Sequence, residues 1–392
     1  MSAIHSKIDA LLANAVASGD VPGVVAMATD RTELLYSGAY GRRALGADAP
    51  MTLDTVVWIA SMTKAITGAA AMRLVERGQL QLDAPASAWV PELGAVRVLE
   101  GFDAGGAPRL RAPVRPITLR HLLTHTAGYG YPVWSEALAR YHEVRDLPST
   151  STCRHAALLA PLLFDPGERW NYGINIEWVG KMIEAVSGQR LGVYLAEHLF
   201  EPLGMTSTAF KINPDMRARL AKVHERAADG RLAAIEFEVP QEPEFELGGG
   251  GLYSTAGDYL RFVRMILNNG ESSTGARVLA PETVDLMSRN HIGELSVVRM
   301  QSCMLNRSND AEFFPGIVKR WGLTFMINEE AAPTGRSAGG LAWGGLANTY
   351  FWIDRTRSVG GVYLTQVLPF ADDRSLPLYL EFEKTVYQGL AS

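Results

Sequence analysis

The spacing of hydrophobic residues changes several times in the first eighty positions. Apolar residues at helical spacing predict an amphipathic helix over residues 3–18. Its apolar positions are Ile4, Ile8, Leu11, Leu12 and Val16. Two β-rich runs, residues 24–29 and 34–40, lie on either side of a polar turn and predict a hairpin. An apolar run over residues 56–60 then predicts a buried strand, and helical spacing follows as far as Arg77.

Prolines and helical segments dominate from about residue 83 to residue 205, which predicts a mainly helical insertion. The helices predicted there cover residues 118–126, 154–163, 174–186 and 191–200. Strands return after this region, together with a helix capped by Ser254 or Thr255 and a second helix over residues 281–288. The last predicted elements are strands over residues 320–327, 339–343, 349–354 and 359–367 and a helix over residues 376–389.

This order of elements predicts an α/β (α+β) protein. Short turns between the later strands favour an antiparallel sheet, to which both ends of the chain contribute. N- and C-terminal helices would flank this sheet, and the helical region would be an inserted domain. We expect one domain from residues 1–85 and 206–392 and a mainly helical domain from residues 86–205.

Composition excludes several classes of function. The 392 residues are 47% hydrophobic and 20% charged, with a formal net charge of −5, and no basic cluster favours a nucleic-acid or membrane-surface partner. The N-terminus lacks the pattern of a signal peptide, and no apolar run reaches membrane-spanning length, so we expect a cytoplasmic protein. Cys153 and Cys303 are far apart and predict neither a disulfide framework nor a metal cluster.

Ser61 and Lys64 form the first candidate for chemistry. They stand three positions apart at the start of a predicted helix, where their side chains can meet. A lysine amine in a dry pocket can help to remove the serine proton, and N–H groups at a helix start can stabilise an oxyanion. The alternative is a capping serine beside a solvated lysine.

Tyr172 and the segment Trp343-Gly344-Gly345-Leu346 are further candidates. Tyr172 follows a Pro-Gly turn and precedes a helix, so it could act as a general base at a domain junction or pack as a core aromatic. The two glycines after Trp343 interrupt a predicted strand. They would allow the Leu346 N–H to serve as a second oxyanion donor, or they would form a β-bulge beside a packed tryptophan.

Two other patterns are poor candidates. Residues 335–339 match G-x-S-x-G, but that motif needs a strand before the serine and a helix after it, and here a polar loop precedes a glycine-rich strand. His121 and His125 are four apart on one helix but lack the glutamate and third ligand of a zinc site. Capping or packing roles are therefore predicted for both histidines.

Taken together, these segments resemble the serine β-lactamase and penicillin-recognising superfamily, most closely the family VIII carboxylesterases. Ser61 to Lys64 fits the first motif, S-x-x-K, while Tyr172-Gly173-Ile174 occupies the second and Trp343-Gly344-Gly345 the third. Residues 121–128 and 249–258 match two other segments that recur in this superfamily, and all five lie in the expected order.

The resemblance implies a β-lactamase-like fold with the active site between its two domains, and acyl-enzyme chemistry without a metal or cofactor. Ser61 would attack an ester carbonyl after losing its proton to Lys64 and Tyr172, which act as a coupled pair. In related enzymes the identity of the base is disputed, and both remain candidates here. The N–H groups of Ser61 and Leu346 would hold the oxyanion.

Three departures from the family pattern bear on the substrate. Ile174 replaces the amide, and Trp343 the lysine, that contact the substrate in true β-lactamases, while Gly344 removes a neighbouring hydroxyl. The loss of one cation costs an anionic substrate about 1.5–3 kcal/mol. Small neutral esters are therefore favoured. The residues expected to contact the substrate are Trp343, Gly344, Gly345, Tyr129, Tyr131, Trp134 and Ile174.

The sequence thus predicts a serine carboxylesterase that hydrolyses short-chain neutral esters, with a small-molecule ester as its partner. One alternative keeps the fold and changes the reaction to that of a β-lactamase, a DD-peptidase or an acyltransferase of the lovastatin-synthesis type. The other alternative is a non-catalytic binding module.

Overall fold

The computed structural model describes residues 2–390, with side chains from residue 4 onward. Fourteen strands occur in this part of the chain. They are β1 (Gly23–Thr29), β2 (Leu34–Gly41), β3 (Val57–Trp58), β4 (Val98–Phe102), β5 (Pro108–Arg111), β6 (His224–Arg226), β7 (Leu232–Ala234), β8 (Tyr253–Ser254), β9 (Lys319–Trp321), β10 (Met326–Asn328), β11 (Leu341–Gly345), β12 (Thr349–Asp354), β13 (Val359–Leu364) and β14 (Val367–Leu368).

Eleven α-helices occur in the same described residues. They are α1 (Ser2–Ala17), α2 (Thr63–Glu76), α3 (Leu119–Leu123), α4 (Glu136–Arg145), α5 (Asn175–Ser187), α6 (Leu191–Leu195), α7 (Glu201–Leu203), α8 (Pro214–Ala218), α9 (Ala256–Leu267), α10 (Pro281–Met287) and α11 (Ser375–Leu390). None of the helices in residues 2–390 is long and apolar enough to cross a bilayer.

Strands from both ends of the chain form one antiparallel sheet, in the order β2-β1-β13-β12-β11-β10-β9. Val25 of β1 lies opposite Leu364 of β13, so the N-terminal hairpin joins the C-terminal strands directly. This confirms the predicted antiparallel sheet, the N-terminal hairpin and the terminal helices. Strands β1, β12 and β13 are buried on both faces because helices cover both.

Adjacent glycines of β13 show how the helices are arranged around the sheet. A Cβ on Gly360 would meet Val263 of α9, whereas a Cβ on Gly361 would meet Trp352, whose ring packs on Phe382 of α11. Successive strand residues point to opposite faces, so α9 and α11 lie on opposite sides of the sheet. Helix α1 packs beside α11 and is tied to β2 through Asp9, whose Oδ1 accepts from the Tyr36 and Tyr40 hydroxyls at 2.9 and 2.6 Å.

The region between the sheet-forming segments contains helices α3 to α7 and differs in detail from the predicted elements. Strands β4 and β5 form a small hairpin, and helix α4 was not predicted. Residues 154–163, predicted as a helix, contain only a 3₁₀ segment at His155–Leu159. The predicted strand over residues 320–327 is two strands, β9 and β10, joined by a turn. The proposed domain boundaries at residues 85/86 and 205/206 stay predictions.

Candidate active site

Ser61 lies in a single 3₁₀ turn, Ala60–Met62, between strand β3 and helix α2. The turn is held because β3 pairs with β8 and the Trp58 Nε1–H donates to the Gly250 carbonyl at 2.7 Å. Ala60, just before the serine, has a left-handed backbone with φ of 45°. Ala60 and Met62 are buried, while Ser61 between them is half-buried and faces a cavity. A tight turn just before helix α2 thus places the Ser61 hydroxyl at the cavity.

Lys64 is buried, with 1% of its surface exposed, one helical turn after the serine. Its Nζ donates to Ser61 Oγ at 3.1 Å, to the Tyr131 hydroxyl at 3.2 Å and to the Gly249 carbonyl at 2.6 Å. Three donated hydrogen bonds are the full capacity of an ammonium group. The predicted contact between the two side chains is therefore present, and the solvated-lysine alternative is wrong.

Tyr172 packs against the same lysine. The Lys64 Nζ lies 4.7 Å from the centre of the Tyr172 ring, and the Tyr172 hydroxyl accepts a hydrogen bond from Trp343 Nε1 at 3.0 Å. The His125 ring packs 4.7 Å from the tyrosine ring, and burial holds the pKa of His125 well below its usual value. Ser61 and Tyr172 thus line one cavity, and Lys64 contacts both of them from behind its wall.

The glycines after Trp343 do not interrupt strand β11, contrary to the sequence prediction. Gly344 and Gly345 pair in register with Tyr350 and Thr349 of β12. A Cβ on Gly345 would lie 2.3 Å from the Ile59 carbonyl oxygen. Glycine is therefore required for β11 to approach the turn that carries the serine.

Leu346 follows directly and lines the cavity together with Ser61. Within residues 2–390 the Leu346 N–H donates to no carbonyl or side-chain oxygen of the chain. This free donor beside the serine matches the arrangement that an oxyanion requires.

Glu177 is a buried carboxyl of this site that sequence reasoning missed. It lies in the first turn of α5, and its Oε2 accepts a hydrogen bond from the Gly249 N–H at 2.7 Å. Burial raises the pKa of Glu177 to about 7, although the nearby Lys64 charge and the Gly249 N–H act in the opposite direction. The available signal was a glutamate among apolar helix residues together with a run of four glycines that permits close backbone approach.

The cavity has a volume of about 470 Å³ and a largely apolar wall. Tyr131 and Trp134 line it, as predicted from the sequence. Several other expected substrate contacts lie behind the wall. Trp343 is buried against Tyr172, Tyr129 stacks on Trp178, and Gly344, Gly345 and Ile174 are buried. The additional apolar lining residues are Trp58, Pro132, Val133, Leu147, Phe237, Leu247 and Met304.

The two poor candidates have structural roles. In the G-x-S-x-G segment, Arg336 is buried and donates to both carboxylate oxygens of Glu383 at 2.7 and 2.6 Å, and the segment is a turn rather than a strand-to-helix elbow. His121 takes part in a capping box with Thr118 at the start of α3, and His125 packs among aromatic rings. The predicted capping and packing roles are confirmed.

Comparison with known proteins places this chain in a family. The Beta-lactamase family model matches residues 8–384. The chain is 34% identical to monacolin J acid methylbutanoyltransferase from Aspergillus terreus, over 95% of this chain and 93% of that protein. It is 31% identical to lovastatin esterase from Penicillium rubens, over 97% of this chain and 98% of the esterase.

The fold agrees with a solved relative. The structure of unliganded simvastatin synthase from Aspergillus terreus matches with a TM-score of 0.86 at 32% identity, covering 98% of each chain. This confirms the predicted β-lactamase-like fold, while the narrower resemblance to family VIII carboxylesterases stays a prediction. The chain belongs to the β-lactamase family and is an enzyme of the serine hydrolase and acyltransferase superfamily.

Proposed function

We propose that this protein is a serine acyltransferase. Ser61 takes a short acyl group from an ester donor and passes it to a hydroxyl of a larger, mostly apolar acceptor. Hydrolysis, the function predicted from the sequence, is the same cycle with water as the acceptor. Acyl transfer was the alternative in that prediction, and it becomes the main proposal here.

The size of the cavity beside Ser61 carries this proposal. Its volume of about 470 Å³ lies within the range of roughly 300–1,000 Å³ that is typical of pockets for drug-sized ligands. A five-carbon acyl group fills only on the order of 150 Å³, taking about 30 Å³ for each water-sized group. A short ester would leave most of the cavity unfilled, and the remaining space fits a large apolar alcohol, either free as an acceptor or as part of its ester.

The names of the relatives support the same substrate class. One relative transfers a methylbutanoyl group to monacolin J acid, and another is an esterase of lovastatin. The first name describes transfer of a small acyl group to a larger acid, and the second describes ester hydrolysis. We extend to this chain only the class of reaction, a short acyl group exchanged with the hydroxyl of a larger molecule.

The proposed mechanism begins with attack of Ser61 Oγ on the donor carbonyl. The serine proton passes to the pair formed by Lys64 and Tyr172, which accepts it only when one member of the pair has already lost a proton. When Lys64 is the ammonium that donates to Ser61 Oγ at 3.1 Å, the proton acceptor is the Tyr172 oxygen. The N–H groups of Ser61 and Leu346 hold the oxyanion of the tetrahedral intermediate. The leaving group takes the proton and departs, which leaves an acyl ester on Ser61.

Deacylation repeats these steps in reverse with a new nucleophile. The acceptor hydroxyl gives its proton to the same pair, attacks the acyl carbonyl and forms the new ester, and Ser61 Oγ recovers a proton as it leaves. Trp343 has its indole N–H committed to Tyr172 and offers no cation where β-lactamases have a lysine. We therefore propose that anionic β-lactams are poor substrates.

A partition experiment tests the proposal. The protein is mixed with p-nitrophenyl butyrate and increasing concentrations of an apolar alcohol, and the butyrate ester and free butyrate are separated by chromatography. We expect the new ester to form at the expense of the acid. Free butyrate as the sole product at every alcohol concentration would make the protein an esterase, as the lovastatin esterase relative would suggest.

Two serine variants control this experiment. Ser61→Ala should form neither product while remaining folded. Ser337→Ala removes the hydroxyl of the G-x-S-x-G turn, which lies outside the cavity lining, and should form both products at wild-type rates. Loss of activity in Ser337→Ala with retention in Ser61→Ala would reject the assignment of the nucleophile.

A further inference from the structure

Glu177 lies in the wall of the cavity but has no part in the acyl-transfer steps described above. Its side chain is buried in the first turn of α5, where a carboxylate is favoured by the free N–H groups of the helix start. Of the acidic residues in the described part of the chain, Glu177 alone lines the cavity. We therefore asked what a buried carboxyl beside Lys64 contributes to the site.

A single peptide unit connects this carboxyl to the lysine. The Gly249 N–H donates to Glu177 Oε2 at 2.7 Å, and the Gly249 carbonyl accepts from Lys64 Nζ at 2.6 Å. The approach requires glycine, because a Cβ on Gly249 would lie 2.2 Å from Glu177 Oε1. The position of the Gly249 carbonyl, and with it one of the three Lys64 contacts, therefore depends on Glu177.

A second path connects the same two side chains. The Tyr131 hydroxyl accepts from Lys64 Nζ at 3.2 Å and also interacts with the Glu177 carboxyl, where it favours the charged form. Lys64 thus donates to the Gly249 carbonyl, whose own peptide N–H binds Glu177, and to the Tyr131 hydroxyl. Its third donor is directed at Ser61 Oγ. Since a buried ammonium is costly without a partner of opposite charge, the carboxylate also stabilises the charge on Lys64.

We propose that Glu177 is a positioning residue for acyl transfer, whose carboxylate balances the charge of Lys64 and, through Gly249 and Tyr131, directs the lysine at Ser61. This inference rests on the proposed function, since it gives Glu177 a part in the same reaction. It implies that the working enzyme needs the ionised carboxylate.

The groups around Glu177 set the sign of the pH dependence. Lys64 faces it from α2, Tyr131 from the loop after α3 and Gly249 from the glycine run, while Cys153 is close enough for burial and Glu177 together to raise the pKa of its thiol to about 12. The pKa of Glu177 is about 7, so the carboxylate predominates above that pH and is protonated below it. Activity should therefore fall as the pH drops through about 7.

The test compares pH profiles of kcat and KM for p-nitrophenyl butyrate in the wild type and in Glu177→Gln. We expect the variant to lose roughly ten- to hundredfold in kcat, the worth of one charge-assisted contact, with little change in KM. We also expect it to lose the decline below pH 7. Glu184→Gln removes a carboxylate from the same helix that pairs with Lys181, and it should keep the wild-type profile.

Each outcome either supports or overturns the role of Glu177. A profile in Glu177→Gln that keeps the decline near pH 7 would overturn the inference, whether or not the rate is lower, because the titrating group would lie elsewhere. If this variant does not fold, Tyr131→Phe carries the test. Removing the hydroxyl that favours the carboxylate should move the midpoint upward, and an unmoved midpoint would overturn the inference.

Labelling with a fluorophosphonate probe separates this inference from the proposed function. No adduct on Ser61 in the wild type would reject acyl-enzyme chemistry itself. A normal adduct together with an unchanged profile in Glu177→Gln would reject only the role of Glu177.

Discussion

Replacing Gly345 by alanine would place a methyl group between strand β11 and the turn that carries the nucleophile. The new Cβ would lie 2.3 Å from the Ile59 carbonyl oxygen, 2.3 Å from Thr349 Oγ1 and 3.1 Å from Ala60 Cβ. Thr349 Oγ1 also donates to the Ile59 carbonyl at 3.1 Å, so the methyl group would enter an existing contact between the strand pair and the turn. None of these three atoms is the free end of a long, flexible side chain.

The expected cost follows from the distance that must open. A carbon–oxygen pair at 2.3 Å must separate by about 1 Å to reach an ordinary contact, which moves Leu346 relative to Ser61. Overpacking of this kind typically costs about 1–3 kcal/mol in unfolding free energy. A displaced oxyanion donor costs on the order of 10²-fold in kcat.

Gly257→Ala is the matched control. This glycine lies in helix α9, and a Cβ there would meet nothing within 4 Å. The variant should gain roughly 0.5–1 kcal/mol in unfolding free energy and keep its activity. The assay is kcat on p-nitrophenyl butyrate together with thermal unfolding for both variants. Wild-type kcat and stability in Gly345→Ala would refute the argument that β11 must approach the turn this closely.

Three further predictions concern other contacts. Trp343→Phe removes the donor to the Tyr172 hydroxyl and should lower kcat/KM for an ester roughly two- to tenfold, with an unchanged value contradicting its role. Arg307→Met removes an exposed cation from the cavity rim and should raise KM roughly two- to fivefold for a carboxylate-bearing acceptor, but not for a neutral one. Arg299→Met, outside the cavity lining, should leave KM for both acceptors unchanged. Thr255→Ala removes the N-cap of α9 and should lower the unfolding free energy by about 1 kcal/mol, measured by denaturant titration, without a change in kcat.

Features encoded by short segments could be predicted from the sequence. Ser61 and Lys64 are three positions apart, so the start of a helix places both side chains on one face independently of the rest of the fold. The terminal helices and the strands of the sheet other than β9 and β10 also follow from their own apolar patterns. Trp343 and Tyr172 could be placed only through the order of family motifs, and the hydrogen bond between them joins residues far apart in the chain.

Features set by tertiary packing could not be predicted from the sequence. Glu177 is a glutamate among apolar helix residues, but its contact with Gly249, which comes from another part of the chain, does not follow from the local pattern. Gly344 and Gly345 remain within a regular strand because β12 and the nucleophile turn pack around them. The hairpin of β4 and β5 carries charged residues that mask its strand pattern.

The tyrosines near the cavity illustrate the same limit. Tyr129 and Tyr131 were both expected to contact the substrate, yet only Tyr131 faces the cavity while Tyr129 packs on Trp178. Both tyrosines lie in a loop without regular structure. The sequence there has no periodicity that would predict the direction of either side chain.

Trapping the acyl-enzyme tests the central claim most directly. The protein is mixed with excess p-nitrophenyl butyrate, quenched in acid within a single turnover and analysed by intact-protein and peptide mass spectrometry. We predict one butyryl group, on Ser61, whose lifetime shortens as an apolar alcohol is added. An unmodified Ser61 during turnover, or a butyryl group on another residue, would contradict the account.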